Sequence, residues 1–319
     1  MPIACNQTRA FDGCVSVERI NIPNIDQWWG CNWNGESNII KSYKIDLYVD
    51  DEIITGVTSP AGTTTIRSYG FCSIKSIKEV TLTSDVTTIQ NSAFIYFTGL
   101  EKITIPSSVT SYGTSIFREA NALSSVTIYN DNVDLGPQNF VNVNNSKCGS
   151  GTGRLYMSGN YVFNTTYLWS IKFKQVEIGG NLSLPLTAST RDVFDKTTTE
   201  ELRVGGNIDT QRILFNTGSA LKFFECNGQI LLSGASAGII SSTTNALIVH
   251  LGYNGICCPV EYLATSSVIN SNIAKIYVGD GSSQASDQAV LDQYLADTDW
   301  ANYSSKLDLW YNYNGEYKQ

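Results

Sequence analysis

Histidine occurs once, methionine twice and proline seven times in these 319 residues, and charged side chains make up only 16% of them. One histidine, His250, leaves no multi-histidine ligand set for a catalytic zinc or iron centre. C-x-x-C pairs are absent too, since the adjacent Cys257 and Cys258 precede Pro259 rather than a second ligand pair. No metal and no other cofactor is expected. Basic residues number 21 against 29 acidic ones and form no run, so the net charge of -8 repels a phosphate backbone and nucleic acid is not a partner. The apolar stretch at 246–251 is far shorter than the ~18 to 20 residues of a membrane span, so no membrane insertion is expected. The first residues show neither the basic start nor the apolar stretch of a secretory signal. Eight cysteines in a chain of this length are too sparse for a disulfide scaffold and are read as mostly free, buried thiols.

What is abundant is Ser, Thr, Asn and Gly, together with 11% aromatic residues. That balance belongs to a β-rich protein and excludes a helical bundle. A chain of 319 residues also exceeds one ordinary core, so it holds two domains or grows by repetition. Repetition is what the residues show. At an interval of 23, Ile66, Ile89 and Tyr112 align, as do Phe71, Phe94 and Phe117, then Ile77, Leu100 and Leu123. Val80, Ile103 and Val126 form a fourth column, and Leu82, Ile105 and Ile128 a fifth. The period extends to Leu135 and Phe140, and Phe11, Val17, Ile20, Ile22 and Pro23 carry the same internal spacing.

Beyond Phe140 the period loosens, but one three-residue segment per unit persists ahead of a Gly/Asn turn. These segments are Leu155-Tyr156-Met157, Val176-Glu177-Ile178, Leu202-Arg203-Val204, Phe224-Glu225-Cys226, Ile248-Val249-His250 and Ile276-Tyr277-Val278. Apolar, variable, apolar over three residues is a short strand whose middle side chain faces outward. One such coil cannot bury its inner face alone; parallel stacking does so, with the phenylalanine column filling the interior from the opposite wall. The fold class predicted is a β-rich repeat solenoid with a short-stranded parallel sheet, short helical turns opposite it and a C-terminal cap. Residues 1–23 are a first repeat and N-terminal cap, 24–56 a Trp-rich insertion and lead-in segment, 57–140 regular repeats, 141–281 degenerate repeats, and 282–319 a helical and aromatic cap.

The unit Leu100-Glu-Lys-Ile-Thr-Ile-Pro-Ser-Ser-Val109, with Ile89-Gln-Asn-Ser-Ala-Phe94, resembles the BspA-type leucine-rich repeat family. The resemblance is close over residues 57–140 and 11–23, and residues 24–46 lie outside it. It implies a non-enzymatic scaffold of gut bacteria or their phages for adhesion or receptor binding, with a protein or carbohydrate surface as partner. The alternative is a structural component of a phage tail or capsid appendage, with homo-oligomer or particle assembly. The expected location follows the same split: a virion component assembled in the cytoplasm, or a surface protein whose signal is missing from this chain.

Candidate chemistry is thin. Gly234-Ala-Ser236-Ala-Gly238 matches the nucleophile-elbow pattern and His250 follows, but no acid lies between Ser236 and His250 to complete a triad in that order. A serine hydrolase is therefore the remote alternative, and His250 is read as an inward-facing, hydrogen-bonded histidine. The segments at 130–134 and 279–281 lack the closing Glu of a calcium loop, and the Gly-rich run at 149–153 lacks a P-loop ending. No catalytic residue is assigned. Trp28 and Trp29, with Trp33, either close an open solenoid end or form a partner surface. Outward strand residues run Asn21, Thr58, Thr81, Thr104 and Thr127, then Tyr156, Glu177, Arg203, Glu225, Val249 and Tyr277. The bland threonine half contrasts with an aromatic and charged half, so partner contacts are expected at Tyr156, Glu177, Arg203, Glu225 and Tyr277.

Overall fold

The computed structural model describes residues 16–31, 44–129, 150, 152–162, 172–184, 197–211, 214–215, 219–232, 239–241, 243–264, 269 and 271–318. Cys5, Phe11, Cys14, Trp33, Leu135, Phe140, Cys148 and Ser236 lie outside them, as do the segments 130–134 and 234–238. The chain forms two compact units, residues 1–157 with 167–173, and residues 158–166 with 174–319.

In the first unit, the strands Gly56–Thr58, Glu79–Thr81, Lys102–Ile105, Ser125–Ile128 and Arg154–Met157 pair in parallel. Val57, Val80, Ile103, Val126 and Leu155 occupy one inward row of this register. The threonine row is outward, as the period requires. Opposite lies a second, narrower parallel sheet of Thr65–Ile66, Thr88–Ile89 and Ser111–Tyr112, followed by tight turns where short helical turns were expected. Those turns hold non-glycine residues in the left-handed region at Tyr69, Ser92 and Ser115, and again at Ser73, Tyr96 and Glu119. Both sets recur every 23 residues. Hydrogen bonds from Phe94 N to Ile116 O and Tyr96 N to Arg118 O tie each turn to the next coil, which compensates the strained backbone. Phe94 stacks on Phe117 at 5.3 Å and lies 5.7 Å from Phe71, so the aromatic column is continuous.

The short helix Ile25–Trp29 closes one end of this column. Trp29 meets Phe71 edge-on at 4.7 Å, and Trp28 donates its indole N–H to Gly70 O at 2.9 Å. Both rings are buried, the arrangement of a cap. The strand Arg19–Ile22 pairs in parallel with Asp46–Val49, which turns back antiparallel onto Glu52–Ile53.

In the second unit, Gln175–Ile178, Glu201–Val204, Phe223–Cys226, Leu247–Leu251, Ile273–Val278 and Leu307–Leu309 form one parallel sheet. A second parallel sheet joins Tyr161–Val162, Leu182–Leu184, Ile208–Thr210 and Ile230–Leu232. The Gly/Asn turns seen in the sequence link the two. Asn160, Asn181 and Asn207 each accept, through Oδ1, the backbone N–H of Asn181, Asn207 and Gln229 one coil on, at 2.7 to 2.8 Å. A Cβ at Gly206 would sit 2.3 Å from Asn181 Oδ1, so the asparagine ladder itself demands the glycine.

Within residues 282–319, expected as a helical and aromatic cap, a helix spans Gln284–Ala296 and buries Val290 and Tyr294, while Leu295 is exposed. The segment Leu247–Leu251 corrects the expected register. Val249 pairs with Phe224 and Ile276, and His250 with Glu225 and Tyr277, so Val249 faces in and His250 faces out. The run Leu-Ile-Val-His-Leu has no clean alternation, and a slip of one residue exchanges every side chain between faces.

Candidate functional site

Parallel register places Glu177, Arg203, Glu225, His250, Tyr277 and Asp308 in one row across the outward face of the second unit's sheet. The neighbouring outward row runs Gln175, Glu201, Phe223, Ile248 and Lys275. Phe223 is an apolar side chain on a face that would otherwise meet water, and it is fully buried. Residues 310–317 cover it. Tyr317 stacks on Phe223 at 4.5 Å, while Trp310 stacks on His250 at 3.8 Å and on Tyr313 at 4.7 Å. Tyr277 packs edge-on against Tyr313 at 4.9 Å and Trp310 at 5.8 Å.

The covering segment is anchored by polar contacts as well. Asp287, wholly buried near the start of the cap helix, accepts Tyr311 N at 2.7 Å and Gly281 N at 3.0 Å. Arg203 donates through Nη1 to Glu225 Oε2 at 2.7 Å and through Nη2 to Tyr317 O at 2.8 Å, with its guanidinium 4.5 Å from the Phe223 ring. Asn227 Nδ2 donates to Glu225 Oε1 at 2.9 Å, and His250 Nδ1 lies 3.5 Å from Glu225 Oε2. Burial works to raise the Glu225 carboxyl, but His250, Arg203 and Asn227 outweigh it and hold the group below the usual carboxylate range. Burial likewise pushes the Tyr277 and Tyr313 phenols up.

Between this ladder and the covering segment lies a cleft of about 290 Å³. Its walls include Glu177, Arg203, Glu225, Asn227, Trp310 and Tyr317, and Gly179 and Gly205 contribute too. The glycines leave backbone exposed, the carboxylates and amide offer hydrogen bonds, and the aromatic groups supply an apolar side. The structure thus brings three of the expected residues, Glu177, Arg203 and Glu225, to one cleft. Tyr277 sits beneath the covering rings. Tyr156 belongs to the first unit, where Arg154 lies over its ring at 5.1 Å and the half-exposed Tyr129 stands 6.2 Å away. Trp28 and Trp29 are part of the packing described above.

Sequence reasoning missed His250, Asn227, Tyr313 and Tyr317 as members of this face. The available signal was the Phe223-Phe224 doublet, because two successive strand positions cannot both face inward. His250 Nε2 donates to Gly279 O at 2.8 Å and the ring stacks on Trp310, while Nδ1 makes no hydrogen bond among the described residues and lies 3.5 Å from Glu225 Oε2. Among the described residues no group of three His, Cys, Asp or Glu side chains is placed to hold a metal ion, and no helix is long and apolar enough to cross a membrane. Asp280 accepts Ser282 N at 2.8 Å, an ordinary turn bond.

No curated protein matches the chain. A solved structure of a leucine-rich cell surface protein from Faecalibacterium prausnitzii aligns with 18% identity over 88% of this chain and 77% of its own length, at a TM-score of 0.28. The model of the BspA-type leucine-rich repeat region matches residues 48–168 in six copies. Residues 48–168 are thus similar to a BspA-type leucine-rich repeat region, and the described strands stack in parallel as in a β-solenoid.

Proposed function

We propose that the chain is a non-catalytic recognition scaffold that meets a protein or carbohydrate surface on the outward sheet face of its second unit. The observation that carries this reading is the cleft, where charged side chains from successive coils converge with Trp310 and Tyr317 beside backbone left open by glycine. Repeat frames hold such side chains at fixed spacing while leaving their identity open to change. His250 packs against Trp310 and donates to Gly279 O.

Retention of the full chain on a glycan microarray and on immobilised bacterial and host surface proteins tests the proposal. For whichever probe is retained, Glu177→Ala and Asn227→Ala should each weaken binding by more than about 1 kcal/mol, whereas Thr81→Ala and Thr104→Ala should not. Equal losses from both sets would refute the placement, as would losses confined to Tyr129 and Tyr156.

A further inference from the structure

We propose that residues 310–318 form a protonation-dependent strap over the recognition face, fastened when His250 carries a proton on both ring nitrogens and loosened when it carries one. Both nitrogens face acceptors: Nε2 lies 2.8 Å from Gly279 O and Nδ1 lies 3.5 Å from Glu225 Oε2. Neutral imidazole donates once only, so the second nitrogen then turns a lone pair toward a buried carboxylate. The imidazolium satisfies both acceptors. It also presents positive charge to the Trp310 ring stacked 3.8 Å away, a contact that a neutral ring lacks.

Trp310 is the hinge of the arrangement. It carries Tyr313 and borders Phe223 and Tyr277, and its carbonyl accepts Tyr313 N at 3.0 Å and Lys318 Nζ at 3.2 Å. Loss of the His250 contact therefore acts on the whole segment. The charged and titratable groups around the ring are Glu225 on the preceding strand, with Arg203 beyond it, and Tyr277 on the following strand. Asp280 lies in the turn after that strand, Asp287 at the cap helix, and Tyr313 in the strap. Lys318 in the strap reaches Trp310 O at 3.2 Å and Tyr311 O at 2.9 Å, so the surroundings of the ring carry charge of both signs. The doubly protonated ring is the form present on the acid side, so the strap fastens there.

The consequence for ligand binding rests on the recognition reading above, because Trp310 and Tyr317 are walls of the cleft; the strap itself does not. One histidine in the chain gives one imidazole signal, so the ring's titration is read without assignment ambiguity. The experiment follows that signal by NMR between about pH 5 and 8, the range in which imidazoles titrate. Amide exchange of Tyr311 and Tyr313, corrected for intrinsic rates, is measured on the same full chain. Protection should fall by about tenfold or more with the midpoint of the ring titration, and His250→Gln should abolish the step. Glu225→Gln should move the midpoint to lower pH. A ring that titrates while strap protection stays constant would overturn the proposal. So would a ring that does not titrate in this range, or a step that survives in His250→Gln, which would assign it to Glu225 or Asp280. Probe retention at pH 5 and pH 8 then separates the two readings. A strap step without any change in retention sinks the link to recognition and leaves the strap standing.

Discussion

Gly205 is exposed and follows a strand, so a substitution there would ordinarily cost under about 0.5 kcal/mol. Its surroundings give a different answer. A Cβ would lie 2.2 Å from Gly179 O and 2.9 Å from Gly179 C, both backbone atoms of the preceding coil that no rotamer change can move. Coils stack at the strand spacing of about 4.8 Å, and a carbon needs about 3.2 Å or more from an oxygen, so alanine pushes the coils apart by roughly 1 Å. That displacement strains Gly205 N to Ile178 O at 2.7 Å, Gly206 N to Gly180 O at 3.0 Å, and Asn207 N to Asn181 Oδ1 at 2.7 Å. Overpacking costs about 1 to 3 kcal/mol and each weakened bond up to about 1 more, so Gly205→Ala should lose about 3 kcal/mol. For a unit of this size that is a fall of about 6 to 12 °C in melting temperature. Gly62→Ala is the control: its φ of +77° strains any side chain, but no atom lies within 4 Å, so it should cost only about 1 to 2 kcal/mol. Circular dichroism melts and urea titrations of the two variants decide the matter. Equal destabilisation, or a Gly205→Ala protein that melts like the parent, would refute the coil register from Gly179 to Gly205.

Three further outcomes follow from contacts elsewhere. Phe94 and Ile103 are fully buried in the first unit, so Phe94→Ala should cost about 3 to 5 kcal/mol and Ile103→Ala about 2 to 5, read from the same melts. Cys226, whose thiol donates a hydrogen bond to Cys257 and is buried, has that thiol pushed well up, so native alkylation of Cys226 and Cys257 should be at least about tenfold slower than in denaturant by mass spectrometry. Rapid native labelling would contradict the packing. Glu225, whose carboxyl is depressed in the fold, contributes stability that is complete above its unfolded value near 4.3 and is lost as pH falls through the folded value. Urea midpoints of Glu225→Gln should accordingly show a shallower loss below about pH 4.5 than the parent.

The regular repeats were legible because five columns at one spacing overdetermine the register, and the parallel pairs Val80 with Ile103 and Ile103 with Val126 match them residue for residue. The degenerate strands were legible for a different reason. In four of them a turn residue stands directly after the last inward side chain: Gly179 after Ile178, Gly205 after Val204, Asn227 after Cys226 and Gly279 after Val278. Applied to Gly252, the same rule makes Leu251 inward, and hence Val249 inward and His250 outward, which is the observed register. The expected register placed Ile248 and His250 inward and Val249 outward, in a run without alternation that carries no phase. The turn chemistry carried it instead.

The outward face was only half legible, because its cover comes from residues about 90 positions away and leaves no period in the sequence. A charged ladder of mixed sign looks like a surface prepared for a partner, yet Arg203 is engaged by Glu225, by Tyr317 O and by the Phe223 ring within the same unit. Its side chain is only 13% exposed, as is that of Glu225. Replacing Arg203 would therefore disturb the strap before it disturbed a ligand, and Tyr277, lying under Trp310 and Tyr313, would behave likewise. On the proposed recognition reading, direct contact with a ligand is expected instead at Glu177, Asn227 and the backbone at Gly179 and Gly205, which border the same cleft. Buried, internally paired charges fix the shape of that cleft, and groups at its margin meet what enters it.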